Sequence, residues 1–197
     1  MGGTFDPIHL GHMEIAAEAV RRLGLSDVVF VPAGVPWMKA GKELTPGEQR
    51  LEMVYLAIAA NPSYHVSMVE MDRGGPSFTV DTLQELKREL GEGANLYFIL
   101  GMDALAELPS WREPHRIIEL CHLVAARRPG SADIDVEALE RAIPGVSDRI
   151  VMLNNRMVDI SSSDIRRRVS RGLSIDSMVP EAVAQYIKEK ALYIKEV

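Results

Sequence analysis

Apolar residues arrive along this chain in two alternating rhythms. Short runs rich in β-branched and large apolar residues, Val28–Val31, Tyr64–Met71, Leu96–Leu100, Leu123–Ala126 and Ile150–Leu153, read as largely buried strands. Between them, apolar positions recur at helical spacing over His9–Leu23, Pro46–Ala60, Val80–Leu90, Pro114–Leu120 and Val136–Ala142. Thr45, with Pro46 at the first helical position and Glu48 three residues on, has capping-box spacing. From Ser161 onward the pattern is helical throughout. Strand and helix in alternation predict right-handed βαβ crossovers. The expected fold is therefore α/β, a single doubly wound parallel sheet with a helical C-terminal segment. Asn61–Ser63, Arg73–Ser77 and Arg128–Ser131 read as loops within one domain spanning residues 1–197, with no repeat or linker.

The polar positions are most informative at the start, Gly2-Gly3-Thr4-Phe5-Asp6-Pro7-Ile8-His9-Leu10-Gly11-His12. Two glycines let the backbone turn sharply and approach a ligand closely. Asp6-Pro7 suits a turn entering a helix, with Asp as cap and Pro in the first turn. His9 and His12, three apart, share one face near that helix N-terminus. Free amides, the positive end of the helix dipole and two imidazoles then converge on one place, a receptor for phosphate. Zinc ligation by the pair would need further ligands, and Cys121 is the only cysteine. A glycine-rich turn of this kind normally follows a strand, yet only Met1 precedes Gly2. The expectation is a first strand cut short at the N-terminus.

Composition narrows the class without naming a chemistry. With 197 residues, 47% of them apolar and 25% charged, the chain has material for one well-cored domain. The net charge of −6 argues against a general nucleic-acid binder, although an acidic protein still binds anions through local helix ends and cations. One cysteine excludes an intrachain disulfide framework and suits a reducing, cytoplasmic setting. No apolar run reaches the length of a membrane span. No glycine-rich loop ending in Gly-Lys-Ser or Gly-Lys-Thr occurs, which excludes a P-loop NTPase. A homo-oligomer is compatible with this composition, and nothing in it fixes the oligomeric state.

Late in the chain, Ile160-Ser161-Ser162-Ser163-Asp164-Ile165-Arg166 sets hydroxyls, amides and a guanidinium at another helix start. Helix capping alone would account for the serines. The same run could also seat a polyphosphate. Together the two stretches resemble the nucleotidyltransferase superfamily, whose signatures read G-x-F-D-P-x-H-x-G-H and I-S-S-T-x-I-R. Ser163 stands where the threonine is usual and keeps its hydroxyl.

The middle of the chain, with Pro36–Lys39, Gly75–Thr82, Gly101–Asp103 and Pro109–Trp111, resembles bacterial nicotinate-nucleotide adenylyltransferases. So does the ending, Val179–Ile187 and on to Tyr193. Departures are Trp37-Met38 ahead of Lys39, where Pro-His is common, Phe78 for Tyr, and Ala191 for Gly. The resemblance implies transfer of the adenylyl group of ATP to nicotinate mononucleotide, giving deamido-NAD and pyrophosphate. It implies His9, His12 and Arg166 as catalytic residues. ATP contacts would come from Gly2, Gly3, Thr4, Phe5, His9, Gly11, His12, Gly101, Asp103, Ile160, Ser161, Ser162 and Arg166. Acceptor contacts would come from Thr4, Lys39, Phe78, Thr79 and Trp111, with the Phe78 and Thr79 amides on the nicotinate carboxylate. Mg²⁺ would bind mainly through ATP phosphates, with no protein ligand required.

Each residue also has a plainer reading. Trp111 could be a core aromatic, the Gly75–Thr79 loop only a turn, and Asp6 either a turn residue or one that orients the motif or a metal-bound water. The alternatives to this reading are adenylyl transfer to another phosphate acceptor, nicotinamide mononucleotide or phosphopantetheine, and a nucleotide-binding module without turnover.

Overall fold

Parallel strands form the centre of the molecule, and helices cover them. In a computed structural model, residues 1–34, 44–91, 93–127, 133–153 and 159–194 are described. In chain order these give β1 Gly2–Gly3, α1 Leu10–Leu23, β2 Val28–Pro32, α2 Gly47–Ile58, β3 Tyr64–Val66, α3 Val69–Arg73 and α4 Thr79–Leu90. Then come β4 Leu96–Gly101, α5 Met102–Ala106, α6 Pro114–Leu120, β5 Cys121–Ala126, α7 Val136–Ala142, β6 Ile150–Leu153, α8 Ser162–Val169 and α9 Glu181–Glu189.

The strands hydrogen-bond as two parallel three-stranded ladders, β1-β2-β3 and β4-β5-β6. Gly2 pairs with Val31, Val28 with Tyr64, Leu96 with Cys121 and Leu123 with Ile150. Between the ladders β1 lies beside β4, where a Cβ added to Gly2 would stand 3.5 Å from Phe98. The strand succession is thus 3-2-1-4-5-6, with its reversal between β1 and β4. The first strand is present as two residues, extended by the Met1 amine donating to the Val29 carbonyl at 2.7 Å. It is too short to ladder β4 as well, so the sheet expected to be continuous is hydrogen-bonded in two halves.

Three apolar clusters fill the layers. Phe30, Met53, Val54, Val183 and Ile187 pack β2 against α2 and α9. Leu105, Leu108, Ile117 and Leu123 pack α5 and α6 on β5. Ile15 and Ala19 of α1 meet Ile99 and Val124 across the junction of the two halves.

Three expected elements differ. The run Tyr64–Met71 is strand only to Val66, then turns into α3, where Val69 is the buried residue. Polar positions shift from 65 and 67 to 70 and 72 across the adjacent Met68-Val69 pair, which breaks the two-residue period that a strand needs. The tail is not one helical stretch, because Ser174 and Asp176 bond each other through hydroxyl, carboxylate and Asp176 N–H, an arrangement that competes with helix. Thr45 does not cap α2, whose N-cap is Pro46 without a side-chain bond. Its backbone is engaged elsewhere, as described below.

Among the described residues no helix is long and apolar enough to cross a membrane. Cys121 is 3% exposed and its Sγ donates to the Ile117 carbonyl at 3.4 Å. Burial pushes its thiol up to about 12. At pH 8 only about one thiol in ten thousand ionises at such a value, and the thiolate is the reactive form. Folded protein should therefore not react with a disulfide reagent such as DTNB, and one thiol per chain should titrate once guanidinium unfolds it.

Candidate active site

Two helix starts from opposite ends of the sequence meet at the C-terminal edge of the sheet. The first follows β1. Phe5 takes a left-handed φ of 49°, which costs roughly 1–2 kcal/mol for a side chain of this size. Its ring offsets that by burying to 2% exposure against Phe30 and by standing edge-on to His12 at 5.2 Å. The chain then passes a cis Asp6-Pro7 peptide and enters α1 with His9, not Asp6, as N-cap.

His9 donates its backbone N–H to Nδ1 of His12 at 3.2 Å, and the His12 N–H returns to the His9 carbonyl at 2.9 Å. The two rings stack at 3.7 Å. With Nδ1 accepting, a neutral His12 carries its proton on Nε2, which makes that nitrogen a donor. His9 is 3% exposed and acts as the support under His12. Gly11 leaves room for this stack, since a Cβ there would stand 3.0 Å from the His9 ring and push it by a few tenths of an ångström.

The second start is that of α8. Ser161 is its N-cap and accepts from the Asp164 N–H at 3.1 Å, so the plain capping role is real. Ser162 Oγ donates to the Pro7 carbonyl at 2.9 Å, and Arg166 Nη1 donates to the Asp6 carbonyl at 2.6 Å. Ile160 is half-buried, with its carbonyl turned toward Gly11. The first-turn amides of α8, which lack intrahelical acceptors, thus stand beside the histidine turn. The two motifs converge as expected. The Ser162 hydroxyl, expected on phosphate, gives its proton to Pro7, whereas Ser161 Oγ only accepts from the Asp164 N–H and keeps its own O–H to donate beside the amides and the guanidinium.

Asp6 is 3% exposed and does not cap a helix. Its Oδ1 accepts from the Tyr193 hydroxyl at 2.8 Å and its Oδ2 from the Thr45 N–H at 3.4 Å, with Arg166 at 4.0 Å. Burial, then the Asp6 charge, pushes the Tyr193 phenol upward, so it remains a donor. Arg50 of α2, also 3% exposed, donates to the carbonyls of Thr4 and Ala33 at 2.8 Å each and of Thr45 at 3.0 Å. It ties together the chain ends leaving β1 and β2. Sequence reasoning missed both Arg50 and Tyr193. An arginine inside an amphipathic helix reads as solvated, and only the match of the Leu192-Tyr193 ending to a family pattern pointed toward Tyr193.

A cavity of about 1040 Å³ opens along the reversal between β1 and β4, with Gly2, Gly3, Thr4, Phe78, Thr79 and Trp111 in its wall. Trp111 is half-buried and edge-on to Phe98 at 6.1 Å, and its Nε1 has no hydrogen-bond partner among the described residues. It is core aromatic and cavity wall at once. The Phe78 ring lies under the Arg112 guanidinium at 5.0 Å. Gly101 ends β4 and Asp103 sits exposed in the first turn of α5, at the same edge of the sheet. Lys39 lies outside the described residues. Among the described residues no three His, Cys, Asp or Glu side chains gather as a metal site.

Residues 1–168 match the Cytidylyltransferase-like family model. A Dehalococcoides mccartyi protein named probable nicotinate-nucleotide adenylyltransferase is 48% identical over 196 residues, covering 100% of this chain and 96% of the relative. This chain belongs to the nicotinate-nucleotide adenylyltransferase family. A similarly named Roseiflexus family member is 48% identical over 193 residues, covering 98% and 96% of the two chains. The fold agrees with that of Plasmodium falciparum nicotinic acid mononucleotide adenylyltransferase solved with APC, at a TM-score of 0.77 and 22% identity, over 98% and 94% of the chains.

Within this nicotinate-nucleotide adenylyltransferase fold, the Tyr193–Asp6 bond supports the histidine turn. Tyr193→Phe leaves a buried carboxylate oxygen without its shortest donor, a loss of about 1–3 kcal/mol. Urea unfolding of the variant should show stability lower by that amount, seen as a lower midpoint with an unchanged slope.

Proposed function

We propose that this protein transfers the adenylyl group of ATP to nicotinate mononucleotide, releasing pyrophosphate and forming deamido-NAD. The observation that carries the reading is the join of two anion-facing helix starts by the Asp6-Pro7 segment, beside a cavity walled by Phe78, Thr79 and Trp111. The relatives that bear the name of this activity match this chain over 96% of their own length.

The acceptor's phosphate is mostly dianionic at neutral pH, its second pKa being about 6. One of its oxygens attacks the α-phosphorus of ATP, and the bond to the bridging oxygen of pyrophosphate breaks. No base is required, since the nucleophile is already ionised. What the chain supplies is positioning and charge. His12 Nε2–H, the amides at the starts of α1 and α8, and Arg166 would hold the triphosphate in line. Gly101 and Asp103 would contact the adenosine. Phe78 and Thr79 would offer backbone N–H groups to the ring carboxylate, Trp111 would stack on the pyridine, and Lys39 would meet the acceptor's phosphate.

Mg²⁺ fits this donor set as an ion carried by substrate phosphates, because its preferred oxygen ligands come from them. When bound it would neutralise charge on the triphosphate. We place the activity in the cytoplasm, in keeping with the single buried thiol.

Pyrophosphate release with Mg-ATP and nicotinate mononucleotide, nicotinamide mononucleotide or phosphopantetheine as acceptor tests the reading. A clear preference for the first is expected. Release only with another acceptor, or none from folded protein, would overturn it. His12→Ala removes a preorganised donor and should lower kcat by about 10²–10³ while the protein stays folded. Trp111→Ala should raise KM for the pyridine nucleotide and leave KM for ATP in place, which steady-state kinetics with each substrate varied in turn will measure.

A further inference from the structure

Glu70 lies outside both motifs, yet its carboxylate is in touch with both walls of the cavity. It stands on α3, half-buried, where an unpaired carboxylate would be costly. Its Oε1 accepts from the Thr82 hydroxyl of α4 at 2.9 Å, and the Ser77 hydroxyl just ahead of α4 lies beside it. From the other side, the Gly34 N–H in the segment leaving β2 faces the same carboxylate. The approach is so close that a Cβ on Gly34 would stand 2.2 Å from the Glu70 carbonyl oxygen, which only glycine avoids. Arg73, on the same helix, reaches the Thr82 hydroxyl at 3.4 Å and pairs with Glu85 of α4 at 2.6 Å.

Among the described residues, the groups acting on the carboxylate are donors or a cation, and they come from the segment leaving β2, from α3 and from the start of α4. Burial still pushes the carboxyl upward against the combined pull of Thr82, Ser77, Arg73 and Gly34. The strands provide no such crossing, because β1 ladders β2 only. Thr82 and Ser77, at 5% and 9% exposure, flank Phe78 and Thr79 in sequence.

We propose that Glu70 is a positioning residue for the acceptor nucleotide: its carboxylate joins the segment leaving β2 to the start of α4 and so sets where the Phe78 and Thr79 amides stand. The inference rests on the reading of those amides as the site of the acceptor's carboxylate. It assigns the recognition loop a support that is acceptor-only. A glutamine there offers one acceptor oxygen and turns an NH₂ donor toward other donors, so one wall is released.

The test compares Glu70→Gln, Thr82→Val and Thr82→Ser. Thr82→Val keeps the shape and removes the donor, and Thr82→Ser keeps the donor. Expected are a rise in KM for nicotinate mononucleotide of about tenfold, equivalent to about 1.4 kcal/mol, in Glu70→Gln and Thr82→Val. KM for ATP and kcat should stay within about twofold to threefold, and Thr82→Ser should behave as the parent. An unchanged KM for the acceptor, or equal weakening of both substrates, would overturn the proposal.

Amide hydrogen exchange over residues 77–82 needs no substrate and should be faster in Glu70→Gln and Thr82→Val alone. If the parent protein does not adenylylate nicotinate mononucleotide, the functional reading fails, and exchange still decides the support. Unchanged exchange there sinks it. Should Glu70→Gln fail to fold, the Thr82 pair decides by the same two readouts.

Discussion

The site depends on the short peptide around Asp6 and Pro7. Its two carbonyls receive Arg166 and Ser162 from 155 to 160 residues away, and its carboxylate receives Tyr193. One buried turn thereby fixes both helix starts. The backbone carbonyls accept neutral and charged donors without an unpaired charge of their own. The single carboxylate is surrounded by a hydroxyl, an amide and a guanidinium, which is what a buried charge requires. Arg50 does the same from below for the ends of β1 and β2, donating to carbonyls and meeting no carboxylate within bonding distance among the described residues.

The result is a protein of net charge −6 in which helix starts, His12 and Arg166 gather as the proposed receptor for polyanions. Overall charge sets the far field, whereas helix ends, His12 and Arg166 set the near field. Recognition and chemistry occupy separate ground. The groups proposed to face phosphate are held by long-range backbone contacts, and the wall proposed to face the pyridine is held by the Thr82–Glu70 bond beneath it. This separation suits a displacement between two anions, in which alignment matters more than any one reactive side chain.

The fold class and most strands were legible because apolar runs and helical periods alternate cleanly. Boundaries failed where a polar residue had a remote partner. Tyr64–Met71 looked continuous until Glu70 turned inward to Thr82, and Thr45 looked like a cap although its N–H belongs to Asp6. The histidine turn was legible because its residue types and spacing have few other uses, and the Ser161–Arg166 run, explicable alone by capping, became legible beside it. Arg50, Glu70 and Tyr193 were not, since their importance comes from contacts that no local pattern encodes. Ser162 is the instructive middle case. Its place was readable, but its hydroxyl holds Pro7 rather than facing out as a free group.

The bond from Tyr193 to Asp6 closes a loop of 187 residues. Closing so long a loop carries a large entropic cost that is recovered only after the intervening layers have packed. The phosphate receptor is therefore among the last parts of the molecule to assemble. A chain with one half of its sheet formed has helices and hydrophobic clusters but no aligned pair of helix starts. Affinity for nucleotide consequently reports completion of the whole fold, and ligand stabilises that final state over every partly folded one.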